Sequence, residues 1–382
     1  MKKLYKTNNY EIFYIEDHYK IKNISIEIEL LRRHYYNLLL EFFIKHVDLK
    51  LSDKKMSEIF AYFIIHNAKN NIMDPILSNK PIFKINYIQG MVKSNVENFG
   101  PKEKIELKKV LLQLDTLMIK YYNTFMKLIP VVKKNVEIIK EHKNDLIILS
   151  LKDQNLSFSI HISLYKHLLK NYSIRNYNIY ENITQDVSWI NEFDERIFIL
   201  FCRYNYLFSG STQASIQPQL KKRLLEMLNI KIELFASGIN SSYTTYCSLF
   251  YDIEKYFGSL GSFFKTEIKA GYYEINPPFE KDIIDNMFNK LYSELNLAEK
   301  NKRPLLFFII IPQINLMNIK YYNKMSNFLK FKKKFDKSEF LYMYYDETFS
   351  YAITRNIIDT YILIYHTSFI KEAVKKNVTK VI

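Results

Sequence analysis

Four consecutive residues, Asn276-Pro277-Pro278-Phe279, combine groups that can act on the amino group of a nucleobase. The exocyclic amine of adenine is a poor nucleophile because its lone pair is delocalised into the ring. Two acceptors, the Asn276 side-chain oxygen and the Pro277 carbonyl, would help the nitrogen to pyramidalise and would stabilise its developing positive charge. Two prolines stiffen the turn, and Phe279 offers a face for stacking a base. We therefore predict that these four residues are catalytic.

The tetrapeptide alone also fits a different interpretation, in which a Pro-Pro turn joins a strand to a helix and Phe279 belongs to the core. Its surroundings favour the catalytic interpretation. Residues 269–275 predict a short strand that ends at Asn276. Asn or Asp followed by Pro-Pro and an aromatic residue, directly after a strand, is typical of methyltransferases that act on an amino nitrogen.

A second candidate site lies upstream, where glycines cluster. Four of the seven glycines in the chain fall within residues 233–279, which marks backbone that turns tightly or approaches a ligand. A predicted strand over 231–235 leads into Ala236-Ser237-Gly238, where Rossmann-like sheets bind a cofactor, although the full dinucleotide glycine pattern is missing. A second predicted strand, 246–250, precedes Asp252 and Glu254, which suit a carboxylate that binds ribose hydroxyls. A solvated turn is the alternative for either carboxylate.

The predicted elements change in character along the chain. Residues 1–20 read as irregular or as an edge strand. Apolar spacing then predicts mainly helices, over about 24–42, 53–67, 102–128 and from Pro130 to about His142. Later segments predict a hairpin (145–151 and 156–162), helices (163–171, 220–228 and 282–302), a buried central strand (304–312), a basic and aromatic segment that is helix or loop (320–335) and two last strands (340–345 and 360–366).

This pattern predicts an α/β protein. We expect a Rossmann-like class I methyltransferase domain over residues 143–382, preceded by a mostly helical, basic domain over residues 1–142.

The composition of the chain indicates which kinds of binding partner are expected. The 382 residues include 55 Lys and Arg against 40 Asp and Glu, a net charge of +15 that favours a polyanion such as nucleic acid. A codon bias toward Lys, Asn, Ile and Tyr is the alternative explanation. Only Cys202 and Cys247 occur, without metal-ligand spacing, so we expect no metal site and no disulfide framework. We read neither a signal peptide nor a membrane span, and we expect an intracellular protein, cytoplasmic or nuclear, that binds no membrane.

Residues 220–366 resemble the cap-specific adenosine N6-methyltransferase family, also called the phosphorylated CTD-interacting factor family. Several short pieces match in the same order at plausible spacing. They are Glu233-Leu234-Phe235-Ala236-Ser237 with Asn240, Tyr246-Cys247-Ser248 with Phe250 and Asp252, Tyr256-Phe257-Gly258-Ser259 with Gly261, Glu274 with Asn276-Pro277-Pro278-Phe279, and Ile311-Pro312. A weaker match, Cys202-Arg203-Tyr204, lies upstream.

The resemblance implies an S-adenosylmethionine-dependent enzyme that methylates N6 of the 2′-O-methyladenosine at the start of capped mRNA. It implies substrate binding by Arg203 and Phe279. It implies cofactor binding by Glu233, Phe235, Ala236, Ser237, Asn240, Asp252, Phe257 and Gly258. Neither a metal ion nor a catalytic base is required, because the protonated amine product can lose its proton to water.

Three departures from the family pattern limit what can be carried over. Gly238 replaces a proline, and Gln313 and Ile314 replace an acidic residue and a tryptophan. The family's WW module needs two tryptophans, and Trp189 is the only one here, so we expect no WW domain and no recruitment to RNA polymerase through it. Two alternatives stay open: an adenine N6-methyltransferase acting on DNA or internal RNA, and a catalytically inactive RNA-binding subunit.

Overall fold

The computed structural model describes residues 2–15, 24–70 (the backbone alone for 67–70), 74–86, 88, 100–132, 136–177, 189–208, 213–346, 349 and 352–382. The chain forms two compact units. The first contains residues 1–16, 160–186 and 210–382, and the second contains residues 17–159 and 187–209. The predicted domain boundary at residues 142 and 143 stays a prediction.

The described helices and strands are as follows. The helices are α1 Ile26–His46, α2 Asp53–Asn70, α3 Pro101–Leu128, α4 Ile162–Tyr177, α5 Ile190–Phe208, α6 Pro218–Leu228, α7 Tyr251–Glu254, α8 Lys281–Lys300 and α9 Glu372–Lys375. The strands are β1 Lys2–Lys6, β2 Glu11–Ile15, β3 Ile138–Lys143, β4 Leu146–Leu151, β5 Ser157–His161, β6 Ser215–Ile216, β7 Ile232–Glu233, β8 Thr245–Tyr246, β9 Glu267–Ile275, β10 Leu305–Pro312, β11 Leu329–Phe335, β12 Tyr342–Tyr345, β13 Ala352–Arg355 and β14 Thr360–His366.

The second unit is built on long helices. Helix α1 packs against α2, α3 and α5, and their contact contains two fully buried arginines, Arg32 and Arg203. Both bind the carboxylate of Glu29: Arg32 Nη1 lies 3.1 Å from Oε2, and Arg203 Nε donates to Oε1 at 2.6 Å. Arg32 Nε also donates to Asp74 at 2.8 Å. These buried charges neutralise one another, so removal of one partner would leave another charge buried without compensation.

A mixed, eight-stranded sheet forms the centre of the first unit, in the order β1-β2-β9-β10-β14-β11 with β7 and β8 branching from β9. Strands β8, β7, β9 and β10 run parallel, and β14 and β11 continue the sheet antiparallel. All eight residues of β10 are buried, as expected for a strand covered on both faces. The protein therefore has a mixed α/β fold with a mixed central sheet.

Alternation along the strands divides the core of this unit into two layers. One face of the sheet packs Ile309 and Leu363 against α8, through Met287, Phe288 and Leu291. The opposite face packs Phe308 and Ile364 against α6, through Leu224 and Leu228. Burial of apolar surface stabilises the folded state by roughly 25 cal/mol per Å². The two layers therefore hold in place the strands whose ends carry the candidate site.

Three sequence predictions are wrong. The strand predicted over residues 246–250 is only the short β8, Thr245–Tyr246. Residues 138–143 form β3 rather than the end of a helix, because every one of them pairs with β4. Residues 329–335 form β11 rather than a helix or loop, because Phe331 and Phe335 alternate toward the core and the strand pairs with β14. The edge-strand reading of the first residues is confirmed by β1 and β2, and the hairpin over 145–162 is confirmed by β4 and β5.

In the described part of the chain, every helix falls short of what a bilayer span requires in length or apolar character.

Candidate functional site

The order of the parallel strands places a topological switch point at the carboxyl ends of β7 and β9. Strand β7 pairs with β8 on one side and with β9 on the other, both in parallel. The chain runs from β7 to β8 on one side of β7, and then crosses to β9 on the other side. Such a reversal of strand order is a topological switch point. Ligands of open α/β sheets bind outside the carboxyl ends of strands at such points. The segments that follow β7 and β9 here are the loop 234–240 and Asn276-Pro277-Pro278-Phe279.

Asn276 is the first residue after β9 and retains 8% of its accessible surface. Its Nδ2 donates to the Ala214 carbonyl at 3.5 Å. Among the residues that the structure describes, none donates a hydrogen bond to its Oδ1. The amide is therefore held by its donor end, and its acceptor oxygen is available to a ligand.

The same carbonyl anchors the loop after β7. Asn240 Nδ2 donates to Ala214 O at 3.4 Å, while Asn240 Oδ1 accepts the Ser237 N–H at 2.7 Å. The Ser237 hydroxyl donates to the Gln213 side-chain oxygen. Residues 213–214 therefore join the two strand ends, because both asparagine amides converge on one backbone oxygen.

Phe279 lies between the core and the surface. Its ring is half-buried and meets Tyr342 edge-on, with ring centroids 5.8 Å apart and an interplanar angle of 72°. The Tyr342 hydroxyl is fixed by a 2.9 Å hydrogen bond with Thr360 Oγ1. Pro278 is exposed, and its carbonyl accepts the Glu280 N–H at 2.7 Å, which closes the turn. One side of the Phe279 ring is thus supported while part of its surface stays accessible.

The two acidic residues after β8 are both buried, Asp252 at 5% and Glu254 at 0% exposure. The alternative of a solvated turn carboxylate is therefore wrong for both. Glu254 Oε2 accepts the Gly238 N–H at 2.7 Å, which ties α7 to the loop after β7. The sequence analysis included Asp252, and not Glu254, among the cofactor-binding residues. Because the two residues are close in sequence, spacing alone could not show which of them contacts the loop after β7.

A buried pair of carboxyl groups lies near the carboxyl ends of β7 and β9. Glu233 and Glu274 occupy opposite positions on β7 and β9, and both are fully buried. Lys221 Nζ lies 3.1 Å from Glu233 Oε2, and the Tyr243 hydroxyl donates to Glu274 Oε2 at 2.9 Å. Within the described residues, Oε1 of each glutamate has no hydrogen-bond partner. One lysine thus serves two carboxyl groups, and burial raises the pKa of both, that of Glu233 to about 8.

We expect stability to fall as pH rises through neutrality. Because the folded-state pKa of Glu233 is raised from 4.5 to about 8, the folded protein keeps a proton that the unfolded chain releases above its lower pKa. The free energy of unfolding should therefore decrease between these limits, by up to about 1.4 kcal/mol per pH unit for one proton. Urea denaturation at about pH 5.5 and about pH 7.5 measures this slope. Glu233→Gln should flatten it, and an unchanged slope in that variant would contradict the assignment.

The remaining predicted cofactor residues pack around the loop after β7 and the start of β8. The half-buried ring of Phe235 packs on Phe263 with centroids 4.8 Å apart, and the Ala236 N–H donates to the Cys247 carbonyl. Gly258 follows the buried Phe257 with φ of +107°, and a Cβ there would lie 2.0 Å from the Thr244 carbonyl oxygen. Only glycine therefore permits this approach to β8.

Arg203 belongs to the other compact unit, where its guanidinium is fully buried on Glu29. That arrangement gives it a structural role in the helical core, and its substrate-binding role stays a prediction. Within the described residues, His, Cys, Asp and Glu side chains form no group of three or more that could hold a metal ion.

Known proteins are similar to the part of the chain that contains the loop after β7 and Asn276-Pro277-Pro278-Phe279. The family model described as "Phosphorylated CTD interacting factor 1 WW domain" matches residues 174–346. The chain is 29% identical over 150 residues to "mRNA (2'-O-methyladenosine-N(6)-)-methyltransferase" from Homo sapiens, and equally to the protein of that name from Mus musculus. Each alignment covers 38% of this chain and 21% of the relative. The chain thus spans about a fifth of the length of these curated relatives, and the matches support the family resemblance.

The expectation that the chain lacks the family's WW domain is contradicted by the match to residues 174–346. That expectation rested on the single tryptophan, Trp189. The match extends over a much longer segment, so a tryptophan count was not a sufficient criterion. The related expectation, that this chain is not recruited to RNA polymerase through a WW domain, is therefore no longer supported.

Proposed function

We propose that this protein is an S-adenosylmethionine-dependent methyltransferase that acts on N6 of the adenosine next to an mRNA cap. The observation that carries the proposal is the state of Asn276. Its amide nitrogen is held by the Ala214 carbonyl, and its oxygen is left as an acceptor at the switch point. Two relatives named as mRNA adenosine N6-methyltransferases support this reaction.

The arrangement of the strands supports a Rossmann-like class I methyltransferase domain. Parallel strands in the order β8-β7-β9-β10 form one half of the sheet, and antiparallel β14 and β11 complete it. Helices α6 and α8 cover opposite faces. We place this domain in the first compact unit, residues 1–16, 160–186 and 210–382. The boundary between residues 142 and 143, with a helical, basic domain before it, stays a prediction.

The residues at the carboxyl ends of β7 and β8 fit the proposed cofactor. Phe235, Ala236 and Asn240 in the loop after β7 keep accessible surface, whereas the Ser237 and Gly238 backbone is fixed by internal hydrogen bonds. Apolar surface next to the Asn240 amide suits a ligand with an aromatic ring, and Asp252 is the carboxylate that we propose for its ribose hydroxyls. When bound there, S-adenosylmethionine supplies an electrophilic methyl group.

The chain's own residues would then orient and polarise the amine. Asn276 Oδ1 and the Pro277 carbonyl accept its two N–H groups, which localises the lone pair on nitrogen and stabilises the positive charge that forms. Phe279 holds the base plane by stacking, so that the lone pair points along one direction. As the new N–C bond forms, the bond between the methyl group and the donor's sulfur would break, and the positive charge would move from sulfur to nitrogen. The donor would leave as a neutral thioether, and the amine would release its extra proton to water.

Removal of the Phe279 ring should weaken catalysis through lost stacking. We expect Phe279→Ala to cost about 1–3 kcal/mol in transition-state stabilisation, while Phe279→Tyr retains much of the activity because any aromatic face can stack. Steady-state kinetics with circular dichroism as a folding control measure this. If Ala and Tyr variants both unfold, Phe279 serves the core against Tyr342 instead.

A methyl-transfer assay with capped RNA, uncapped RNA and DNA, run side by side, tests the proposal. Transfer to capped RNA that begins with adenosine is expected, and the product should be N6-methyladenosine at that position. Equal transfer to uncapped RNA or DNA would favour a general adenine methyltransferase. Absence of both transfer and cofactor binding, measured by isothermal titration calorimetry, would favour an inactive RNA-binding subunit.

A further inference from the structure

The outer strand β11 and the turn before it carry an excess of positive charge. The strand reads Leu-Lys-Phe-Lys-Lys-Lys-Phe, and Lys320 and Lys324 precede it. Lys334 is paired with Asp336 and Asp359, at 3.1 and 3.4 Å. The other exposed lysines form no ion pair with any described residue. These five, Lys320, Lys324, Lys330, Lys332 and Lys333, are called the basic cluster below.

Aromatic rings lie between these lysines. Lys320 and Lys324 lie 5.4 and 5.3 Å from the ring centroid of Tyr321, which is half-buried. Lys332 lies 5.3 Å from the ring of Tyr361, also half-buried, and donates to the Tyr322 hydroxyl at 3.2 Å. Lysines held beside partly accessible rings provide both phosphate contacts and stacking faces, the combination that single-stranded nucleic acid needs.

The register of the sheet puts one member of this cluster, Lys332, on the same row as the residue that precedes Asn276. Ile275, which precedes Asn276, is level with Ile309 on β10, Ile309 with Leu363 on β14, and Leu363 with Lys332 on β11. Three strand spacings separate Ile275 from Lys332, or about 14 Å. A nucleic acid chain whose first base lies at Asn276 therefore needs to extend only a few nucleotides to reach the cluster.

We infer that the basic cluster binds the phosphates of single-stranded RNA that continues from the methylated adenosine. This inference rests on the proposed function, because it assumes that the target base lies at Asn276. Charge complementarity selects the partner: five unpaired cations on one outer strand and its turn suit a regular polyanion. Lysines also protect edge strands from pairing with other chains. That role requires no affinity for RNA, so RNA-binding measurements on cluster variants distinguish it from phosphate binding.

The test removes three cluster charges in Lys320→Gln/Lys324→Gln/Lys332→Gln and measures binding of a capped 20-nucleotide RNA by fluorescence anisotropy. Lys102→Gln/Lys108→Gln/Lys120→Gln, on helix α3 of the other unit, removes the same charge from exposed lysines that form no ion pair with a described residue, and serves as the control. Lys330→Gln/Lys333→Gln provides a second cluster variant that leaves the Lys332–Tyr322 hydrogen bond intact.

Both cluster variants should weaken binding, the triple variant by about tenfold or more, and its salt dependence should fall by roughly two units of slope. The α3 control should bind as the wild type does. Transfer to a cap dinucleotide that ends at the adenosine should stay unchanged, because it has no further phosphates. Equal losses in cluster and control variants, or no loss in either, would overturn the inference. If the wild-type protein fails to methylate the cap dinucleotide, the proposed function is overturned. The RNA-binding measurements can still be interpreted in that case.

Discussion

Replacement of Asn276 by alanine is expected to lower the rate of methyl transfer by roughly 100- to 1,000-fold. The variant removes the acceptor at the carboxyl end of β9 that faces no described donor, while the strand itself stays paired with β10. Loss of one preorganised hydrogen bond to a developing charge is worth this much because no solvent molecule is already oriented to replace it. The measurement is single-turnover transfer to capped RNA.

Cofactor affinity should largely survive in Asn276→Ala, because the lost oxygen acts on the amine. Isothermal titration calorimetry with S-adenosylmethionine checks this separation. Asn289→Ala, an asparagine on the exposed side of α8, is the matched control and should transfer at the wild-type rate. Wild-type turnover by Asn276→Ala would show that the site has been assigned to the wrong residue.

Lys221→Met is expected to destabilise the fold by about 3–5 kcal/mol near pH 8. Lys221 is buried, and it is the cation that faces the paired carboxyl groups of Glu233 and Glu274. Methionine preserves apolar volume but leaves a buried carboxylate without a counter-charge. At lower pH the cost should shrink, because the carboxyl groups can become neutral by binding protons.

The adjacent residue offers a control for this experiment. Lys222 is 74% exposed and forms an i,i+4 pair with Glu226, and such exposed pairs contribute little. Lys222→Met should therefore unfold at nearly the wild-type urea concentration. A second variant, Lys221→Met/Glu233→Gln, should recover part of the lost stability at high pH. Equal stability of Lys221→Met and Lys222→Met would contradict a charge-compensating role for Lys221.

Local patterns predicted those elements whose own residues determine their environment. The continuous apolar run 304–312 predicted a buried strand, and β10 is buried along its whole length. The strand before Asn276 and the helix after Phe279 were also confirmed, as β9 and α8. In these segments propensity, apolar pattern and turn residues all agree.

Two features that depend on distant pairing were not predicted. Strand β11 is rich in lysine, and pairing with β14, about 30 residues away in sequence, makes it a strand. The carbonyl of Ala214 joins Asn276 and Asn240 from a polar segment that carries no motif. That segment is positioned because Ile216 on β6 pairs with Tyr342 on β12. No local signal could reveal such a contact.

Charged residues were the hardest to place from sequence. Glu233 was predicted to bind a cofactor, and the structure places it fully buried between Lys221 and Glu274. Burial of a carboxyl group depends on what packs over it, which a single sequence does not encode locally. The role of Glu233 toward a cofactor therefore stays a proposal.

The ratio of kcat/KM for capped and uncapped RNA, measured at two salt concentrations, tests the central claim most directly. Phosphate contacts alone give affinity that falls with salt and little discrimination. A site that recognises the cap adds contacts to a cationic methylated guanine, which stacks on aromatic rings. We predict a ratio well above one that persists at the higher salt concentration. A ratio near one at both concentrations would contradict the assignment of this protein as a cap-specific methyltransferase.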